Sequence, residues 1–350
     1  AARQPPEIAR GVYDAIATGL RAIERLVTED GVDCELEHNG GLRMAATDAQ
    51  IESLERGHAT LTALGLPARL VDGAELRSLV RTERFRVGLT HPHTAILHPG
   101  KLVRGMARVA ESLGVQIHEA TRVLRVEPGR SVRIATELGH VEAAQAVLAT
   151  NGYTSQLGIF RQRLLPICNY MIATEPLSPA QWDAIGWSGR QALTDARVLF
   201  MYLRPTADGR IAAGGELAPY FPGGVPSTAN YAPAIAKLEQ SLIETFPDLA
   251  GIRFDHAWGG TMAFTRDFKP RIGALRDAPN VFFGLGYCGE GVVMSQLAGR
   301  ILAALVAGEA GEFAALPFVG GAPPWAGFEP LRTIGVKATE RALRALAGEP

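Results

Sequence analysis

The sequence predicts a mixed α/β (α+β) protein, and three observations carry that expectation. Near the C-terminus a strand, a glycine turn and a helix follow one another without a gap over residues 280–308. Between residues 164 and 268 the chain is strand-rich with one intervening helix, the pattern of an antiparallel sheet inserted into another domain. At the other end Ile8, Val12, Ile16, Leu20, Ile23 and Val27 recur at spacings of three and four, the period of an amphipathic helix.

The elements follow in order. Residues 8–30 read as the opening helix, 35–45 with Gly40 and Gly41 as a strand or hairpin, and 48–65 as a second helix. Leu70 and Val71 suggest a strand leading into a short helix with Asp72 near its N-cap. His91, His93 and His98 form the only histidine cluster. With Pro92 and Pro99 among them they read as a turn with polar caps rather than a metal site. Residues 99–113 form an amphipathic helix with Leu102, Val103, Met106, Val109 and Ala110 on one face, ending at Gly114. Four strand-like runs follow at 115–118, 122–127, 131–136 and 141–150. Strands are expected at 167–174, 198–203, 210–215 and 254–258, with a helix at 232–246. The apolar stretch 292–307 falls short of the roughly 20 residues of a membrane span. It also holds Gln296 and Arg300, so it reads as a buried core helix.

Composition narrows the function classes. The 350 residues are 47% hydrophobic and 20% charged, values of a soluble globular chain of about two domains. Thirty-five basic and 36 acidic residues leave a net charge of −1, so nothing marks a nucleic-acid or anionic-membrane partner. Cys34, Cys168 and Cys288 stand far apart without a CxxC pair, which supports neither a zinc site nor a disulfide framework. A polar, helical start shows no signal peptide, and a cytoplasmic location is the expectation.

Gly284, Gly286 and Gly289 fit G-x-G-x-x-G, and Gly291 adds a fourth glycine. A dinucleotide fingerprint would need a following strand with an acidic residue about 20 positions on. After Gly308 the chain instead runs into loop chemistry with Pro317, Pro323 and Pro324. Three readings stand: a pyrophosphate turn, a tight packing turn, or a turn against a cofactor ring. The first underlies an NAD-dependent dehydrogenase and predicts a βαβ unit that the sequence does not display.

The segment Gly284–Val293 resembles the C-terminal flavin-contacting motif of the FAD-dependent D-amino-acid oxidase superfamily. Four further stretches resemble the same family in the same order: 147–154, 166–177, 202–215 and 258–273. Within the superfamily the chain is most similar to the γ-glutamylputrescine-oxidase-like branch, which oxidises amines. The resemblance implies a Rossmann-like FAD/NAD(P)-binding domain from residues 1–35, 95–160 and 274–350, with a substrate-binding domain from 36–94 and 161–273. It also implies a strand, glycine fingerprint and helix ahead of the first helix here. The expectation is that this domain is incomplete at its N-terminus, as a fragment or with that segment on a second chain.

The implied activity is oxidation of the CH–NH bond of an amine or amino-acid-like substrate by hydride transfer to non-covalent FAD, the imine then being hydrolysed. Oxygen or another carrier is the electron acceptor. The alternative is a non-catalytic fragment or partner subunit that does not hold FAD alone. Implied cofactor contacts are Ala149, Thr150, Asn151, Gly152, Gly284, Gly286, Tyr287, Gly289, Gly291 and Val292. N–H groups at Gly289 and Gly291, with the helix dipole behind them, suit the negative charge on a reduced flavin. Val123 is expected near the adenine, or else within a plain β-meander. Glu290 stands where the family usually has His; it either pairs with a cationic amine or is an exposed loop glutamate. Tyr202 either lines the pocket or is a half-buried sheet tyrosine. Met262 replaces the carboxylate-clamping Arg of amino-acid oxidases, leaving Arg204 or Arg266 to take that role. Gly260 stands where sarcosine oxidases attach flavin through a Cys. No metal is expected.

Overall fold

The computed structural model describes residues 6–221, 231–309 and 311–346. Helix α1 spans Pro6–Thr28. The helical period holds, but the contact face runs through Ala15 and Ile23, and Ile8 and Ile16 stay exposed. Gly19 sets that face: a Cβ there would sit 2.5 Å from the Val293 carbonyl oxygen, so only glycine lets the later helix approach.

Strand β1 (Gly41–Ala45) is followed by α2 (Asp48–Ala63), where Thr47 and Gln50 form a reciprocal capping box. Such a box satisfies two orphan N–H groups at once. Next come β2 (Arg69–Asp72), α3 (Gly73–Leu79) with Asp72 at its N-cap, and β3 (Val87–His91). Helix α4 (Pro99–Ser112) starts at His98, whose ring nitrogen accepts the Lys101 amide at 3.3 Å. Among the described residues no group of three or more His, Cys, Asp or Glu could hold a metal ion. Leu102 and Gly105 are the buried positions of α4, and Val32 fills the space at Gly105; Val103 falls off that stripe and is exposed.

Strands β4 (Val123–Glu127), β5 (Val132–Thr136) and β6 (Gly139–Ala143) make a separate antiparallel meander. Residues 115–118, expected as a strand, form none: Val115 and Ile117 are exposed and no ladder partner faces them. The run 141–150 divides between β6 and β7 (Ala146–Leu148), which belong to different sheets.

The inserted unit holds β8 (Leu164–Thr174), α5 (Pro179–Ile185), β9 (Ala192–Asp195), β10 (Met201–Pro205), β11 (Ile211–Gly215), α6 (Ala232–Thr245) and β12 (Phe254–Thr265). With β1–β3 these strands form one sheet in the order β12-β8-β11-β10-β9-β1-β3-β2, antiparallel except for β1 against β9. Alternation sends Cys168, Tyr170, Ile172, Leu193 and Leu203 to one face. There Leu238, Leu242 and Phe246 cover them and Trp187 stacks on Phe246. Asn169 and Tyr202 occupy the opposite face.

Strands β13 (Arg271–Leu275) and β14 (Ala278–Leu285) complete a third sheet, in which β14 runs antiparallel to β13 and parallel to β7. Helix α7 (Gly291–Ala307) buries Met294, Leu297, Ala298, Ile301 and Leu302, and Gly308 ends it in a left-handed cap with φ 74°. Beyond α7 only an isolated parallel bridge, Ile272 with Val319, and α8 (Leu331–Leu346) are formed among the described residues, so no βαβ unit follows the glycine turn. No described helix is long and apolar enough to cross a membrane.

Candidate active site

Parallel pairing of β7 and β14, with Phe283 opposite Leu148, brings the two strand exits side by side. In open α/β sheets, ligands occupy the crevice beyond the carboxyl ends of such strands. One exit enters the 3-10 helix Asn151–Leu157, and the other is the turn from Gly286 to α7. Asn151 joins them by accepting the Gly286 amide at 3.3 Å. Both exits are also clamped on β12. A Cβ at Gly152 would lie 2.8 Å from the Thr261 methyl, and one at Gly286, which has φ +73°, would lie 2.8 Å from the Thr265 methyl.

At the start of α7, Glu290 is the N-cap residue but forms no side-chain cap; it is exposed. Helix N-termini leave N–H groups without intrahelical partners and carry positive partial charge. Gly289 has φ +101° and a Cβ there would meet nothing within 4 Å; at Gly291 only Tyr287 atoms come that close. Tyr287 packs under the turn against Gly284, and burial pushes its phenol up to about 12. On β12, a Cβ at Gly260 likewise meets nothing within 4 Å. The residues present therefore fit the flavin that the resemblance implies: an uncapped, glycine-lined cradle beside an open strand face.

Across that face, Asn169 lies opposite Gly260, and Ile167 opposite Met262. The Asn169 amide donates to the Tyr202 hydroxyl at 2.7 Å. A phenol that accepts this bond keeps its own proton to donate. Burial raises the Tyr202 pKa and outweighs the lowering by Asn169, so the proton is held at neutral pH. The Tyr202 ring lies across Gly214, where a Cβ would come within 2.4 Å of it.

The turn residues 284–292 and 150–152 thus come together, and Tyr202 joins Asn169. Ala149 is exposed at the end of β7. Arg204 is half-buried two residues from Tyr202; burial lowers its pKa, while the Glu35 and Glu37 charges raise it. Arg266 reaches the Trp325 carbonyl at 3.4 Å. Strand β4, which carries Val123, packs beside the 3-10 helix 151–157. No hydrogen bond links Glu290, Met262, Arg204 or Val123 to one another among the described residues. Sequence reasoning missed Asn169 and Thr261. The signal was available for Asn169, since alternation along β8 sends it away from the Cys168–Tyr170–Ile172 face.

The FAD dependent oxidoreductase (DAO) family model matches residues 3–305. Among curated proteins, the probable oxidoreductase OrdL of Haemophilus influenzae is 31% identical over 248 residues, covering 69% of this chain and 54% of the relative. The γ-glutamylputrescine oxidoreductase of Escherichia coli is 28% identical over 325 residues, covering 90% of this chain and 74% of the relative. The chain thus spans about half the length of the first and three quarters of the second. Among solved structures, glycine oxidase from Geobacillus kaustophilus superposes with a TM-score of 0.76 at 19% identity, over 91% of this chain and 84% of that one. This agrees with the α/β fold and its mixed sheets. With most of its length inside the family model and the glycine cradle in place, the chain belongs to the FAD-dependent oxidoreductase family.

Proposed function

We propose that the crevice oxidises the CH–NH bond of an amine, with the imine released to hydrolysis. The observation that carries this reading is the uncapped turn at Gly289–Gly291, where a Cβ at Gly289 would meet nothing within 4 Å. FAD, when bound, supplies the hydride acceptor. The amides of Gly289, Gly291 and Val292 and the dipole of α7 would hold its negatively charged edge, and Asn151, Thr150 and Gly152 would seat it from the β7 side. The FAD is non-covalent in this reading. Cys288 donates to the Gly286 carbonyl at 3.1 Å, and burial raises its pKa, which keeps the thiol protonated and unreactive.

Tyr202 offers its hydroxyl proton to the substrate, and Met262 gives that part of the site an apolar wall. Glu290 supplies a carboxylate for the cationic amine, and Arg204 is a second cation on the same face. Val123 is assigned to the adenine side. The division into a flavin domain (1–35, 95–160, 274–350) and a substrate domain (36–94, 161–273) belongs to the same reading. So do an acceptor that is oxygen or another carrier and a cytoplasmic setting, which suits three free cysteines. Two relatives are named for glycine and γ-glutamylputrescine, and both names are consistent with a nitrogen-bearing substrate.

The test is anaerobic addition of primary and secondary amines to the FAD-loaded protein. Loss of the yellow flavin absorbance with one amine class is expected, and aldehyde with ammonia or amine should appear on readmitting an acceptor. Bound flavin that no amine bleaches would overturn the proposal.

A further inference from the structure

One row of side chains crosses the face of the large sheet opposite the α6-covered core; at its far end Leu89, paired with Arg43, is buried against Leu54 of α2. Its members are paired in register: Trp258 with Met171, Met171 with Gly214, Gly214 with Tyr202, Tyr202 with Thr194, and Thr194 with Arg43. Directly paired residues project to the same side of a sheet. Arg43 therefore shares a face with Tyr202, two strands away, at about 10 Å from the strand spacing. The ring of Tyr202 leans over Gly214 towards Asn169, away from Arg43. Thr194 alone lies between them on the row.

Arg43 is exposed on that face and makes no hydrogen bond or ion pair with any described residue. The nearest influences on it are burial, which lowers its pKa, and the Asp195 charge, which raises it. Asp195 is already hydrogen-bonded to Arg197 at 2.8 Å. His91 lies beside Arg43, but burial and the Arg43 charge both lower its pKa, so it adds no second cation at neutral pH. An exposed guanidinium with no hydrogen-bonded partner among the described residues offers its donors to an anion. Near Gly260, by contrast, Met262 leaves no cationic clamp for a carboxylate on the oxidised carbon.

We propose that Arg43 anchors an anionic group at the far end of the amine substrate, so that the preferred substrates are amines carrying a carboxylate several bonds from the C–N bond. The proposal rests on the amine-oxidation reading and names its substrate class. Arg43 acts here through binding alone and moves no proton or hydride.

The experiment is calorimetric titration of ω-aminocarboxylates, from 4-aminobutanoate to 8-aminooctanoate, against alkylamines of the same chain length, using FAD-loaded wild type, Arg43→Met and Arg43→Lys. Wild type should prefer the carboxylate form at one or two lengths, by about tenfold to a hundredfold, the span of a charge-assisted hydrogen bond. Arg43→Met should erase that preference without changing alkylamine affinity, and Arg43→Lys should keep part of it. Because Arg43 holds no hydrogen-bonded partner among the described residues, the melting temperature should not move in either variant. No preference in wild type at any length, or a preference that survives in Arg43→Met, overturns the assignment. Equal weakening of both ligand series does the same. Anaerobic bleaching is recorded on the same samples: its absence with the preference intact would remove the oxidation reading and leave the anchor standing.

Discussion

Replacing Gly260 by Val separates the site from the scaffold. Gly260 lies within β12 opposite Asn169, does not have a positive φ, and a Cβ there meets nothing within 4 Å. In the protein alone, valine should therefore fit without strain. A β-branched residue suits a strand better than glycine, by up to about 1 kcal/mol, and it also restricts the unfolded chain. The variant should melt at or slightly above the wild-type temperature. If flavin or substrate fills that space, the three added carbons overpack it at a cost of about 1–3 kcal/mol. That corresponds to about fivefold to a hundredfold weaker binding. Scanning calorimetry without ligand and flavin titration by absorbance read the two effects separately. Wild-type affinity for both FAD and amine in a stably folded variant would refute the placement of the cleft. A marked loss of stability would show that the face is not open.

Other outcomes follow from the same geometry. Gly289→Ala introduces a Cβ at φ +101°, so it should lose about 1–2 kcal/mol of stability to backbone strain alone, with a further loss of FAD affinity measured by titration. Tyr202→Phe removes the donor offered to substrate and strands the Asn169 amide; KM should rise about fivefold, for about 1 kcal/mol, with a smaller effect on FAD affinity. Arg197 holds the buried carboxylates of Asp195 and Glu216, bonding Glu216 at 3.0 Å, so Arg197→Met should destabilise by about 3–5 kcal/mol in urea melts. Glu37 has its pKa lowered by hydrogen bonds from Arg190 at 2.6 and 2.8 Å, against an opposing burial effect. A lowered folded pKa means stability that is fully present above the ordinary value near 4.5 and is lost as pH falls through the folded one. The stability gap between wild type and Glu37→Gln should therefore close on acidification through that window.

Much of the fold could be read from local pattern. The glycine turn, the helix behind it and its stop at Gly308 are short-range features, and the alternation of Cys168, Tyr170 and Ile172 along β8 is a period-two signal. What local pattern could not reveal were consequences of distant contacts. The contact face of α1 depends on Val293 meeting Gly19, and that of α4 on Val32 entering at Gly105, so Ile8, Ile16 and Val103 read as apolar yet remain exposed. Residues 115–118 alternate like a strand but find no partner. In the site, Gly286 and Asn151 belong to segments that the family resemblance placed together, and their bond follows from the parallel pairing of β7 with β14. Arg43 escaped notice because its meaning lies in register: nothing within its own strand connects it to Tyr202, which is reached only through β9.

The most direct measurement is a crystal structure of this chain grown with FAD. The pyrimidine edge of the isoalloxazine ring should lie within about 3 Å, hydrogen-bonding range, of the amide of Gly289, Gly291 or Val292, with Gly260 against the ring system. A ring seated elsewhere, or phosphate oxygens filling the turn at Gly289, would contradict it.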